Sequence, residues 1–211
     1  MKIAIIGAGN VGGALGRGWT AAEHEVVFGV RDPKDPRVVE LLEGAKGRAR
    51  AATLREAAGA GDVIVFATPW SATRDAVSAT GSLSGKIVID ATNPLKPDLS
   101  GLATGHSQPR RPSRSPGGRA ARGSSGLQHD RAQHMTDPRF GDQRATMFLC
   151  GNDLAAKQAV STLAPDLGFE PVDTGPLTQA RLLEPLAMLW ISMAYAYGGQ
   201  GPKIAFKLLR K

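Results

Sequence analysis

The chain has 211 residues and a net charge of +7, from 26 basic and 19 acidic side chains. That length suits one ordinary domain, or one with a small appendage, and is enough to bury a core. A single cysteine and the lack of any stretch near the roughly 20 apolar residues of a membrane span argue against a disulfide scaffold and against membrane integration.

Lys2–Ile6 reads as a short buried strand, too soon broken by glycine to be a secretory leader. It runs into Gly7-Ala8-Gly9-Asn10-Val11-Gly12, and a small-residue helix follows from Val11 to about Ala22. These glycines fit G-x-G-x-x-G in its strand–turn–helix setting. Gly7 permits the tight turn, Gly9 lets the backbone approach a pyrophosphate, and Gly12 allows close packing of helix on strand. The helix N-terminus offers N–H groups and partial positive charge to the phosphates. Dinucleotide binding is expected here, against an empty crevice of the same fold.

The second strand, Glu25–Val30, leads into Arg31-Asp32-Pro33-Lys34. An NAD site places an acid near this point for the ribose 2′-hydroxyl. Val30 stands there instead, with Arg31 beside it and Lys34 close by. A guanidinium clasps a 2′-phosphate through paired charge-assisted bonds, so NADP(H) is expected over NAD. In the alternative reading Arg31 is a solvated loop residue and Asp32 reaches the ribose.

Helices are expected at Pro36–Gly44, Thr53–Ala60 and Ser71–Thr80, and strands at Val63–Thr68 and Lys86–Ala91. The strand exits, Thr68-Pro69-Trp70 and Thr92-Asn93-Pro94, fall at the carboxyl edge, where open α/β folds bind ligands. Trp70 is read as a cofactor cover or as plain packing, and Asn93 as a carboxamide or substrate contact or as a plain turn. Further on come a strand at Thr146–Cys150, a helix at Leu154–Leu163 and a weaker strand at Glu170–Asp173. Helices follow at Thr178–Tyr197, with Pro185 kinking or dividing it, and at Pro202–Leu209. The expected fold is α/β: a Rossmann-type, doubly wound, mostly parallel sheet over 1–174, with a small C-terminal helical cap over 175–211.

Residues 109–134 stand apart. They carry six arginines against the single acid Asp130, almost no apolar residue and no periodicity, and read as an irregular basic loop. Most of the chain's net positive charge sits there rather than on a face of the fold, which argues against a nucleic-acid partner. His24 reads as structural and Cys150 as a buried structural thiol. No nucleophile–base set or metal-ligand cluster is present, so no catalytic side chain and no metal ligand is expected. Hydride transfer between two carriers depends chiefly on proximity and orientation.

Gly7–Gly12, the run His24-Glu-Val-Val-Phe-Gly-Val-Arg-Asp-Pro33, Ala67-Thr-Pro-Trp70 and Gly175-Pro-Leu-Thr-Gln-Ala-Arg-Leu-Leu-Glu184 together resemble the NADPH-dependent coenzyme F-420 reductase family. The resemblance covers about 1–108 and 135–211. It implies hydride transfer between NADPH and a deazaflavin in a homodimer, and the single cysteine suits a reducing cytoplasm. By position it assigns Ala8, Gly9, Asn10 and Val11 to the pyrophosphate and Val30, where the family usually has Ser, with Arg31 to the 2′-phosphate. Thr68, Pro69 and Trp70 fall at the nicotinamide. The helices after Gly175 are implied in a dimer interface and deazaflavin pocket. Arg181 and Glu184 read equally as part of that region or as a surface pair.

Between Gln108 and Met135 the family has a helix and a sixth strand, where this chain reads as the basic loop instead. Gly126–Arg131 can be encoded GGC CTT CAA CAC GAC CGG, and those bases read one position later spell Ala-Phe-Asn-Thr-Thr, as at the end of that strand. A frameshift between about Pro109 and Met135 is therefore expected. The alternatives are a flavin, ferric, carbonyl or imine reductase, and a non-catalytic NADPH-binding sensor.

Overall fold

The computed structural model describes residues 1–45, 47–96, 98, 100–103, 119–124, 138–196, 199–201 and 203–211. The first half alternates strand and helix: β1 Lys2–Ile6, α1 Asn10–Ala21, β2 Glu25–Gly29, α2 Pro36–Glu43, β3 Ala49–Ala52, α3 Leu54–Ala60, β4 Val63–Phe66, α4 Trp70–Thr80 and β5 Ile87–Asp90. Strand β6 is Arg119–Ser124, and a two-residue ribbon pairs β7 Arg139–Phe140 with β8 Gln143–Arg144. Then come β9 Thr146–Gly151, α5 Leu154–Asp166, β10 Glu170–Asp173, a 3-10 turn at Leu177–Gln179, α6 Ala180–Ile191 and a π-helical turn at Ser192–Ala196.

The main sheet runs β10-β9-β6-β5-β4-β1-β2-β3. From β3 to β6 every pairing is parallel, whereas β9 runs antiparallel to β6. The order 3-2-1-4-5-6 is that of a Rossmann fold, and it reverses between β1 and β4. Side chains alternate across the strands, so the sheet is buried on both faces. Ile3, Ile5, Val26, Phe28, Val65 and Ile89 pack on one face with α1 and α5. Ala4, Ile6, Val27, Ile64, Phe66 and Val88 pack on the other with α3 and α4. Each fully buried Ile contributes about 1.5–3 kcal/mol of transfer free energy.

Local chemistry fixes the helix ends. Asp35 caps α2 by accepting from the Arg37 N–H, and Pro36 follows at the first helical position. Thr53 and Glu56 form a reciprocal capping box on α3. His24 bonds Asp166 at the end of α5 at 2.9 Å, in keeping with a structural role. Cys150 is buried against Ala180 and Leu183 of α6.

Two expectations are corrected, one is narrowed, and one strand was missed. The edge strand β3 was not expected, because Ala49-Arg-Ala-Ala52 lacks β-branched residues; its register against β2 makes it a strand. The irregular loop expected over 109–134 contains β6, six residues paired on both sides. Backbone hydrogen bonding places them there, since an empty slot would strand the edges of β5 and β9. The rest of 109–134 lies outside the described residues.

Helix α6 runs through Pro185 without dividing, and continues into the π-helical turn. Tyr197 lies outside the described residues. Finally, 203–209 is not helical but an extended tail along the start of β9. Thr146 N–H donates to Phe206 C=O at 3.0 Å, and the Thr146 hydroxyl oxygen accepts from Leu208 N–H at 3.0 Å. The two-residue spacing of Ile204 and Phe206, both packed on the Trp190 cluster, suits a strand-like tail. Pro202 is outside the described residues.

Candidate cofactor site

The glycine turn lies at the carboxyl end of β1, beside the point where the strand order reverses. Gly7 N–H donates to Gly29 C=O at 3.0 Å, which ties the turn to the end of β2. Gly7 has φ +109°, and a Cβ there would meet the Ala67 oxygen at 2.7 Å, so backbone and packing both demand glycine. A Cβ on Gly12 would run into the Gly7 carbonyl oxygen. Gly9 differs: it is exposed, and a Cβ there meets no atom within 4 Å. No protein neighbour requires glycine at 9, yet a pyrophosphate pressed against the backbone would. Gly9 caps α1, and no side chain caps the helix, so its first N–H groups face the same open space.

At the end of β2, Val30 is half-buried against the core, while Arg31 and Lys34 are exposed. Neither cation is hydrogen-bonded or ion-paired through its side chain among the described residues. The nearby acids are engaged elsewhere. Asp32 accepts from Lys34 N–H at 2.9 Å, closing a local turn. Asp35 pairs with Arg37 at 2.8 Å, and the Arg37 side-chain hydrogen bond holds its carboxyl below the usual range. Asp32 Oδ1 thus closes the loop, and beside it stand two cations with no side-chain partner among the described residues.

The other wall is built by β4 and β5. Thr68 Oγ1 lies 3.0 Å from Thr73 Oγ1, and Thr73 donates its proton to Pro69 C=O at 3.1 Å. Thr68 is therefore the donor to Thr73, and its oxygen keeps acceptor capacity. Pro69 precedes α4 without a side-chain cap, and the half-buried Trp70 is the first residue of that helix. Asp90 Oδ1 accepts from both Thr92 N–H (2.9 Å) and Thr92 O–H (2.6 Å), which fixes the chain leading to Asn93. Asn93 is 7% exposed, and its side-chain amide makes no hydrogen bond to any described residue. The Asn93 backbone carbonyl accepts from Leu95 N–H at 2.9 Å, so the expected turn exists as well. A buried amide left unpaired is costly, and its natural complement is a polar group of a ligand. The open cradle at Gly9, the two free cations and this amide all fit a dinucleotide.

The sequence did not reveal the Asp90–Thr92 clamp or Thr73, although Asp-x-Thr spacing is the signature of such a local turn. Arg181 and Glu184 do not form the surface pair considered above: Arg181 is exposed, whereas Glu184 is buried. Among the described residues no cluster of His, Cys, Asp and Glu is suited to a metal ion, and no helix is long and apolar enough to cross a membrane.

Residues 2–94 match the family model described as NADP oxidoreductase, coenzyme F420-dependent. Over that span the chain is similar to this family. The F420-dependent NADP reductase of Methanothermobacter marburgensis is 27% identical over 207 residues, covering 92% of each chain. A structure from Arthrobacter sp. FB24, described as a candidate F420-dependent NADP reductase, superposes with a TM-score of 0.80 at 29% identity, covering both chains fully. The metalloreductase STEAP3 of Rattus norvegicus is 28% identical over 190 residues, and the chain spans only 37% of its length. The chain is thus an NADP-dependent oxidoreductase of Rossmann type.

Proposed function

We propose that the enzyme passes a hydride between NADP(H) and a deazaflavin of the coenzyme F420 kind. The observation that carries this reading is the likeness to the Methanothermobacter reductase along nearly the whole of both chains. NADPH, when bound, supplies the hydride from its nicotinamide ring. The turn Gly7-Ala8-Gly9-Asn10-Val11-Gly12 holds the pyrophosphate, and Val30, Arg31 and Lys34 meet the adenosine ribose and its 2′-phosphate. Thr68, Pro69, Trp70 and Asn93 orient the nicotinamide.

Leu95, two residues beyond Asn93, packs with Trp190 and Ile191. That contact sets α6 beside the nicotinamide end and favours α6 as a wall of the acceptor pocket. Leu182 and Leu189, 57% and 51% exposed, with Met193 mark an apolar stripe along α6 and the turn after it. A second copy of the chain covers this stripe in our reading. A buried, unoxidised thiol at Cys150 suits a cytoplasmic enzyme.

Rapid mixing of NADPH-loaded enzyme separately with coenzyme F420, a flavin and ferric chelates tests the acceptor. Rapid oxidation by F420 alone is expected; oxidation by ferric chelate alone would transfer the assignment to the metalloreductase side. Arg31→Ala tests the cofactor assignment. Loss of a charge-assisted pair worth about 1.5–3 kcal/mol weakens NADPH about 10- to 150-fold and leaves NADH binding unchanged.

A further inference from the structure

Thr73, in the first turn of α4, is 5% exposed. Its hydroxyl proton goes back one turn to Pro69 C=O at 3.1 Å, the local bond open to a threonine inside a helix. What remains on that oxygen is acceptor capacity, and Thr68 Oγ1 lies 3.0 Å away. The Thr68 proton is therefore directed at Thr73. The other branch of Thr68 is held as well, because a Cβ at Gly7 would come within 3.3 Å of its Cγ2 methyl. With the methyl against the glycine turn and the hydroxyl against α4, the Thr68 rotamer is fixed from both sides.

A hydroxyl whose only proton is committed enters further hydrogen bonds as an acceptor alone. Among the described residues no group donates to the Thr68 oxygen. The oxygens of a pyrophosphate carry no proton to offer it. Ribose hydroxyls donate or accept equally well, and gain nothing from a committed partner. An amide nitrogen only donates, and that asymmetry matches. We propose that Thr73 is a positioning residue: by taking the Thr68 proton, it makes Thr68 a dedicated acceptor for the carboxamide N–H of the nicotinamide. This role rests on the placement of Thr68 at the nicotinamide proposed above. A grip on the carboxamide fixes how the ring is turned, which is what orientation requires of the site.

The matching probe is the 3-acetylpyridine analogue of NADP+, in which a methyl replaces the carboxamide NH2. Calorimetric Kd values of the full chain for NADP+ and for the analogue give a ratio that reads this contact. Thr68→Val and Thr73→Val are each expected to weaken NADP+ about 2- to 10-fold, the range for one neutral hydrogen bond, and to spare the analogue. Thr73→Ser keeps the oxygen and is expected to keep the wild-type ratio. Lost packing would weaken both ligands alike, so a Thr73→Val protein with the wild-type ratio overturns the proposal. If that variant fails to fold, Thr73→Ala removes the same oxygen and is read in the same way. If Thr68→Val leaves both affinities unchanged, the placement of Thr68 at the nicotinamide fails, and the role of Thr73 with it. A lowered ratio in Thr68→Val alone overturns only the role of Thr73.

Discussion

Replacing Gly12 with Ala drives a Cβ into the Gly7 carbonyl oxygen, a backbone atom that cannot step aside. Overpacking of this kind costs about 1–3 kcal/mol, a fall of about 2–12 °C in Tm for a chain of this size. Gly9→Ala meets no protein atom, so its Tm is expected to stay within about 2 °C of wild type while NADPH affinity falls tenfold or more. Thermal melts and NADPH titrations of the two variants separate folding from binding within one motif. Asn93 offers a complementary case. Asn93→Leu removes an unpaired buried amide at similar volume, so the cofactor-free protein is expected to melt at the same or higher temperature. NADPH binding and turnover are expected to fall, and calorimetry with steady-state kinetics checks both. The glycine turn was legible in the sequence because its spacing after a strand announces it. The isolation of the Asn93 amide was not, since burial and missing partners are properties of the assembled crevice.

At the scale of elements, the strands most readily foreseen were β1, β2, β4 and β5, whose unbroken apolar runs answer to burial on both faces. The edge strand Ala49–Ala52 and the tail after Gly201 escaped because their conformation is imposed by neighbours. Leucine-rich sequence near the C-terminus suggests a helix, yet pairing with Thr146 and packing on Trp190 hold the tail extended. One latch on that tail is sensitive to acid. Lys207 Nζ donates to Glu170 at 2.8 Å, and this hydrogen bond holds the Glu170 carboxyl below its ordinary value of 4.5. A depressed carboxylate pKa stabilises the folded form above the unfolded value, and the contribution disappears as pH falls through the folded one. The Trp190 indole N–H, bonded to Ile204 C=O at 2.8 Å, reports on the tail. Its NMR resonance is expected to move as pH drops below 4.5, and Glu170→Gln is expected to shift it already at neutral pH.

At the scale of the molecule, the strand order and the reversal at β1 and β4 concentrate every proposed cofactor contact along one edge. The apolar stripe of α6 bears on how copies meet. Leu189→Glu places a charge at its middle, and sedimentation equilibrium is expected to find a dimer in the wild-type protein and a monomer in the variant, with unchanged circular dichroism. The parallel α/β sheet was legible from alternating periodicity, but the strand that joins its two parts was not. Arg119-Ala-Ala-Arg-Gly-Ser124 has no strand pattern of its own and is a strand by virtue of its two neighbours. That dependence has a consequence in time. A ribosome releases β5 and then β6 well before β9, so the growing sheet ends on a row of unpaired β6 backbone groups until the later chain emerges. The arrival of β9, running the opposite way, closes that edge.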